Sequence, residues 1–173
     1  MQKEILLEKI RLSGYNITSP ITDLELANIY RIYGITFPKD LLELYKLGVP
    51  TQKYLKFAKN ERIIGGDVAF YNWHDFSEEN IKTIKHAMQY AYIDIKVSKD
   101  APLLIPIAGH RYMPMIEGVN EVPVLSICGL DAVVYGKNLE DYILREIEPR
   151  TIMQPILKKE CEYIPFWTDY IYE

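Results

Sequence analysis

The densest group of chemistry-bearing residues in the chain is His110-Arg111-Tyr112, with Asp131 downstream. An arginine partly withdrawn from water needs an acid, because an unpaired buried guanidinium costs several kcal/mol. Its planar fork meets a carboxylate with two bonds. If the strands beginning near Arg111 and Asp131 lie close together in a sheet, three readings are open. The first is an Arg111–Asp131 clamp that fixes a turn, with His110 bonding locally. The second is an open surface of His110, Arg111 and Tyr112 that recognises an acidic group on a partner protein. The third is a small hydrolase site using His110 and a nearby carboxylate, for which no nucleophile or activated carboxylate pair is evident.

Other chemistry is sparse. The three histidines, His74, His86 and His110, stand 12 and 24 residues apart and match no H-x-x-x-H pattern, so no metal site is expected. Ser126 sits between Leu125 and Ile127, away from any G-x-S-x-G turn, and Ser77 reads as a helix cap. Cys128, in an apolar run before Gly129, reads as a buried small hydrophobe. Cys128 and Cys161 are the only cysteines, which supports neither a disulfide framework nor a zinc site and suits a reduced, cytoplasmic setting. No phosphate-binding glycine loop is present, and no cofactor is expected.

The run Phe70-Tyr71-Asn72-Trp73-His74-Asp75-Phe76 is dense in aromatics. As the approach to a helix it reads first as core. Trp73 is also a candidate contact residue, since exposed Trp and Tyr are strong interface anchors. The acids Glu78, Glu79, Glu140, Asp141, Glu146 and Glu148 read as solvated helix faces and first turns; converging on one face, they would suit a basic partner such as a nuclease toxin.

At 173 residues, with net charge −4 and 25% charged residues, the chain has the composition of one globular domain. Its basic residues are scattered rather than clustered, which argues against a nucleic-acid partner. The longest uncharged stretches run nine residues, against the roughly 20 that a membrane span requires, and no signal core follows the charged start.

Helical patterns open the chain. Residues 2–13 carry Ile5, Leu6 and Ile10 inward. Thr22-Asp23-Leu24-Glu25 is a capping box leading into Leu26, Ile29, Tyr30 and Tyr33. A third helix begins at Pro38 with Leu41, Leu44 and Tyr45 inward. Residues 51–75 read as one or two short strands with loops, around Tyr54–Phe57 and Ile63–Gly66. Ser77 then caps a helix, with Phe76 placed to staple onto Ile81 and a stripe of Ile84, Met88 and Ala91. Four short strand patterns follow, at 103–108, 112–116, 122–127 and 132–135, too close together for parallel returns. Pro106 and Pro123 mark an edge, a strand start or a bulge. Asn138 caps a last helix with Leu139, Tyr142, Ile143 and Ile147 inward, and the tail 149–173, rich in apolar residues, should dock on the body. Helices, a meander and a helix indicate an α+β fold in two layers, with a mostly antiparallel sheet.

Three pieces in order resemble the SUKH superfamily, which includes the fungal Smi/Knr cell-wall regulator and many bacterial toxin-immunity proteins. They are Phe37-Pro38-Lys39-Asp40-Leu41-Leu42 ending at Leu47-Gly48, then Leu103-Leu104-Ile105-Pro106-Ile107-Ala108, then Val122-Pro123-Val124 through Tyr135-Gly136 into Asn138–Ile143. His110-Arg111-Tyr112-Met113-Pro114, with Asp131, Tyr135-Gly136 and the Pro165-Phe166-Trp167 tail, is similar to a bacterial subgroup with an H-R-Y-x-P motif. The family's acidic-glycine turn after the Leu-Ile-Pro-Ile-Ala strand is replaced here by Gly109-His110-Arg111, and residues 51–75 match poorly.

The resemblance implies one SUKH-like domain over 1–173, with a core of about 22–148 and a mixed, mostly antiparallel sheet. It also implies a non-enzymatic binding module that neutralises a cognate toxin. A regulator of cell-wall or carbohydrate metabolism is the alternative. Trp73, His110, Arg111, Tyr112, Asp131 and Tyr135 are the candidate partner-binding residues, with the oligomeric state left open.

Overall fold

The computed structural model describes residues 2–53, 69–148 and 154–173. The strands expected around Tyr54–Phe57 and Ile63–Gly66 lie outside these residues, as does the start of the tail at 149–153.

Three of the described α-helices, those that follow Thr22, Ser77 and Asn138, start on a side-chain cap. α1 (Lys3–Leu12) buries Leu6, Leu7 and Ile10 and leaves Ile5 exposed. α2 (Asp23–Tyr33) starts on the full capping box: Thr22 accepts from the Glu25 amide while the Glu25 carboxylate accepts from Thr22. Within α2, Ile29 is buried, whereas Tyr30, expected inward, faces solvent. α3 (Lys39–Tyr45) follows Pro38 and buries Leu41, Leu44 and Tyr45. α4 (Glu78–Tyr90) is capped by Ser77 and buries Ile84 and Ala87, with Ala91 buried just past its end. α5 (Leu139–Ile147) is capped by Asn138, and α6 (Trp167–Tyr172) closes the chain.

β1 (Tyr15–Ile17), which the sequence reading lacked, pairs with β2 (Pro50–Lys53), at the start of the stretch expected to hold short strands, in a small antiparallel sheet beside α1. The main sheet is the expected meander. β3 (Leu104–Ala108), β4 (Arg111–Pro114), β5 (Val124–Cys128) and β6 (Asp131–Gly136) lie in the order β3-β4-β5-β6. Every described strand pair is antiparallel, so the expectation of a mixed sheet gives way to two antiparallel ones. Pro106 lies on the edge strand β3 at a register shift, and Pro123 directly precedes β5, both places where a missing N–H is tolerated.

Alternation along the strands sends side chains to opposite faces. Ile105, Ile107, Met113 and Val124 join the core shared with α1, α3 and α5. Leu104, Tyr112, Leu125, Ile127 and Val134 join a second core with Ala91, Ile95, Ile156, Ile164 and Trp167. Ile156, Ile164 and Trp167 of the tail thus pack on this face of the sheet together with Ala91 and Ile95.

A meander puts its first and third turns at the same end of the sheet. Both turns here are two-residue Gly-X connections, Gly109-His110 and Gly129-Leu130, with Ala108 opposite Arg111 and Cys128 opposite Asp131. Gly109 (φ 52°) and Gly129 (φ 61°) take the positive φ that a tight hairpin demands at its first central position. The Ile127 amide donates to the His110 carbonyl at 3.1 Å, so the turns stand side by side.

Candidate interaction site

The two-turn end of the sheet gathers His110, Arg111 and Asp131, as the motif reading required, but arranges them differently. Arg111 opens β4 and turns inward. Its Nε donates to Glu146 Oε1 at 3.3 Å, and its Nη1 donates to Ser126 Oγ at 2.9 Å. Its guanidinium carbon lies 3.9 Å from the centre of the Tyr135 ring. The side chains of Arg111 and Glu146 are 11% and 9% exposed.

The expected Arg111–Asp131 clamp is thus replaced by an Arg111–Glu146 pair. The register explains the exchange: Arg111 lies opposite Ser126, which lies opposite Val133, so Asp131 is two strands across and further along, at the hairpin end. Glu146 reaches Arg111 because α5 lies over this face of the sheet, with Leu139, Tyr142 and Ile143 buried. The sequence reading placed Glu146 on a solvated face. It sits instead on the apolar stripe, four residues after Tyr142, and an acid on an inward stripe is the signal that could have identified the partner.

The pair also affects the phenols around it. Burial, then the Glu146 charge, pushes the Tyr15 hydroxyl up to about 12. The Tyr142 hydroxyl, fully buried, is pushed further in the same direction, chiefly by burial. Ser126 Oγ accepts an N–H from Arg111, a contact that orients the hydroxyl without taking its proton. This arrangement is a packed, largely neutralised polar network, and its evident role is to tie β4, β5, β6 and α5 together.

Two other candidates are structural. Trp73 is 1% exposed and makes edge-to-face contacts with Tyr33 and Phe37 at 5.6 and 5.1 Å, so it is core and unavailable to a partner. Tyr112 points the other way from Arg111, as strand alternation requires, and is buried with its hydroxyl donating to the Ala87 carbonyl at 3.0 Å. Tyr135 is half-buried beneath Arg111. His110 is half-buried on its turn, and Asp131 is exposed on the neighbouring one.

His74 has a role the sequence did not suggest. Its Nδ1 lies 2.7 Å from Glu25 Oε1 and its Nε2 3.0 Å from the Ser19 carbonyl, crosslinking the start of α2 to the segment before α4. Partial burial pushes the Glu25 carboxyl up. Bonds from His74 and Thr22 outweigh that and leave it below the ordinary carboxylate value. A depressed carboxyl contributes stability that is present above its unfolded-state value and is lost as pH falls through its folded-state value. Glu25→Gln is therefore expected to lower stability at neutral pH while flattening its decline on acidification. Urea midpoints measured down an acid pH series for both chains check this.

Exposed apolar side chains at the two-turn end were also missed. Leu130, on the tip of the β5–β6 turn, is 68% exposed, and Ile93, just after α4, is 64% exposed. Tyr90 is also exposed at this end, with its hydroxyl 3.8 Å from Cys128 Sγ. Cys128, expected buried, is exposed here, at the last position of β5 before the turn. Among the described residues, no group of His, Cys, Asp and Glu is placed to hold a metal, and no helix is long and apolar enough to cross a membrane. No family model, curated protein or solved structure matches the chain.

Proposed function

We propose that the chain is a non-enzymatic protein-interaction module of the SUKH immunity kind, acting in the cytoplasm by occluding a cognate toxin. The observation that carries the reading is the exposure of Leu130 and Ile93 on adjoining turns at the two-turn end. Single exposed apolar residues are normal on a soluble protein, whereas large ones presented on adjoining turns suit a contact surface. The rest of the motif supports this from beneath: Arg111, Glu146 and Ser126 fix the strands that present the turns. Binding of this kind needs shape and charge complementarity and no turnover.

The experiment is co-expression with the polypeptide encoded by the neighbouring open reading frame in the source genome. The expected result is a complex that survives purification and restores the growth that the neighbour alone suppresses. Absence of a complex, or conversion of a defined compound by the pure chain that His110→Ala abolishes, would overturn the reading.

A further inference from the structure

We infer that the two-turn end binds a basic segment of a partner protein that carries an apolar side chain between lysines or arginines. The inference rests on the interaction-module reading and specifies the partner's chemistry.

The surface is built from two elements that touch. α4 ends at Tyr90, and the turn after it brings Ile93 and Asp94 against the β5–β6 hairpin. A Cβ placed on Gly129 would stand 3.5 Å from Asp94 Oδ2, and Tyr90 meets Cys128. Leu130 and Ile93 therefore project from adjoining turns. The hairpin itself does not need leucine at its tip. Glycine supplies the required backbone at the first central position, while the second tolerates polar residues, so an exposed leucine gains nothing for the fold. The tip is also held firmly. Tyr170 donates from its hydroxyl to the Leu130 carbonyl at 3.0 Å, fixing the hairpin on α6. A rigid apolar projection loses little entropy on binding.

The charge around it sets the partner's sign. Asp94 follows Ile93 and Asp131 follows Leu130, both exposed, and neither has a cationic partner among the described residues. Some other carboxylates are neutralised within the fold, as in Lys3–Asp40, Arg111–Glu146 and Arg145–Asp141. Two unneutralised carboxylates, each next in sequence to an exposed apolar residue, attract cations and disfavour a second copy of the same surface. They act chiefly on encounter rate and partner choice, through an attraction that salt screens.

The test is selection of peptides from a displayed random 16-residue library on the immobilised full chain, followed by titration of synthetic versions of the enriched sequences. The expected consensus is one aromatic or aliphatic residue flanked by lysine or arginine. Leu130→Asp should weaken binding about 10-fold or more, as truncation of a central contact does. The double change Asp94→Asn with Asp131→Asn should weaken it several-fold and flatten its salt dependence. Leu24→Asp, on the exposed side of α2, should leave it unchanged, and circular dichroism confirms that each variant is folded. No enrichment, enrichment of acidic peptides, or binding indifferent to Leu130→Asp overturns the inference. A cognate toxin that binds Leu130→Asp as tightly as the parent chain would sink this surface and leave the interaction module standing. Failure to bind any neighbouring gene product would sink the module itself.

Discussion

Glu146→Ala is expected to destabilise the protein by about 3 kcal/mol, whereas Asp131→Ala should stay within about 0.5 kcal/mol of the parent chain. The contrast follows from what each carboxylate touches. Glu146 is the only acid bonded to Arg111 among the described residues, and both side chains are nine-tenths or nearly so withdrawn from water. Removing it leaves a guanidinium whose remaining contacts, the Ser126 hydroxyl and the Tyr135 ring, carry no negative charge. Those contacts keep the cost at the lower end of the range for a broken buried pair. Asp131 is exposed at a hairpin tip, with no charge to compensate among the described residues. Urea unfolding of the two variants and the parent checks the pair of values. A large loss for Asp131→Ala would restore the clamp that the sequence suggests.

The second large effect concerns the tail. Trp167→Ala should cost about 3–5 kcal/mol, the range for deleting a buried aromatic. Trp167 is completely buried, donates from Nε1 to the Pro102 carbonyl at 3.2 Å, and meets Phe166 edge-to-face at 5.0 Å. It covers the sheet face that carries Leu125, Ile127 and Val134. The loss should therefore appear as more than a shifted midpoint. The tail from Gln154 onward should become sensitive to protease under native conditions, and the uncovered face should bind a hydrophobic dye. A destabilised chain with a protease-resistant tail would show that other contacts dock the segment.

Local chemistry made much of this fold legible. The capping residues Thr22, Ser77 and Asn138 each bond an amide within three positions, so four adjacent letters suffice to recognise them. The meander could be read because Gly109, Gly129, Pro106 and Pro123 punctuate runs too close for any crossover. β1 could not be read. It is three residues long, and what makes it a strand is a pairing with β2 from beyond α3. The site divides in the same way. Strand alternation already places Arg111 and Tyr112 on opposite faces, which forces one of them into each core. The identity of the acid on Arg111 depends on how α5 lies across the sheet, a tertiary fact. Only the placement of Glu146 on an otherwise apolar stripe hints at it. Trp73 was ambiguous for a related reason, because an aromatic run before a helix suits a core and a contact surface equally.

The proposed function requires the exposed two-turn end to act by contact alone. Its most direct test is the dissociation constant of the complex with the co-expressed neighbour, measured by titration calorimetry for the parent chain and for folded Leu130→Asp. The expected result is a stoichiometric complex weakened about 30-fold or more by the substitution, the scale of a central interface residue worth about 2 kcal/mol. An affinity unchanged by Leu130→Asp would contradict it.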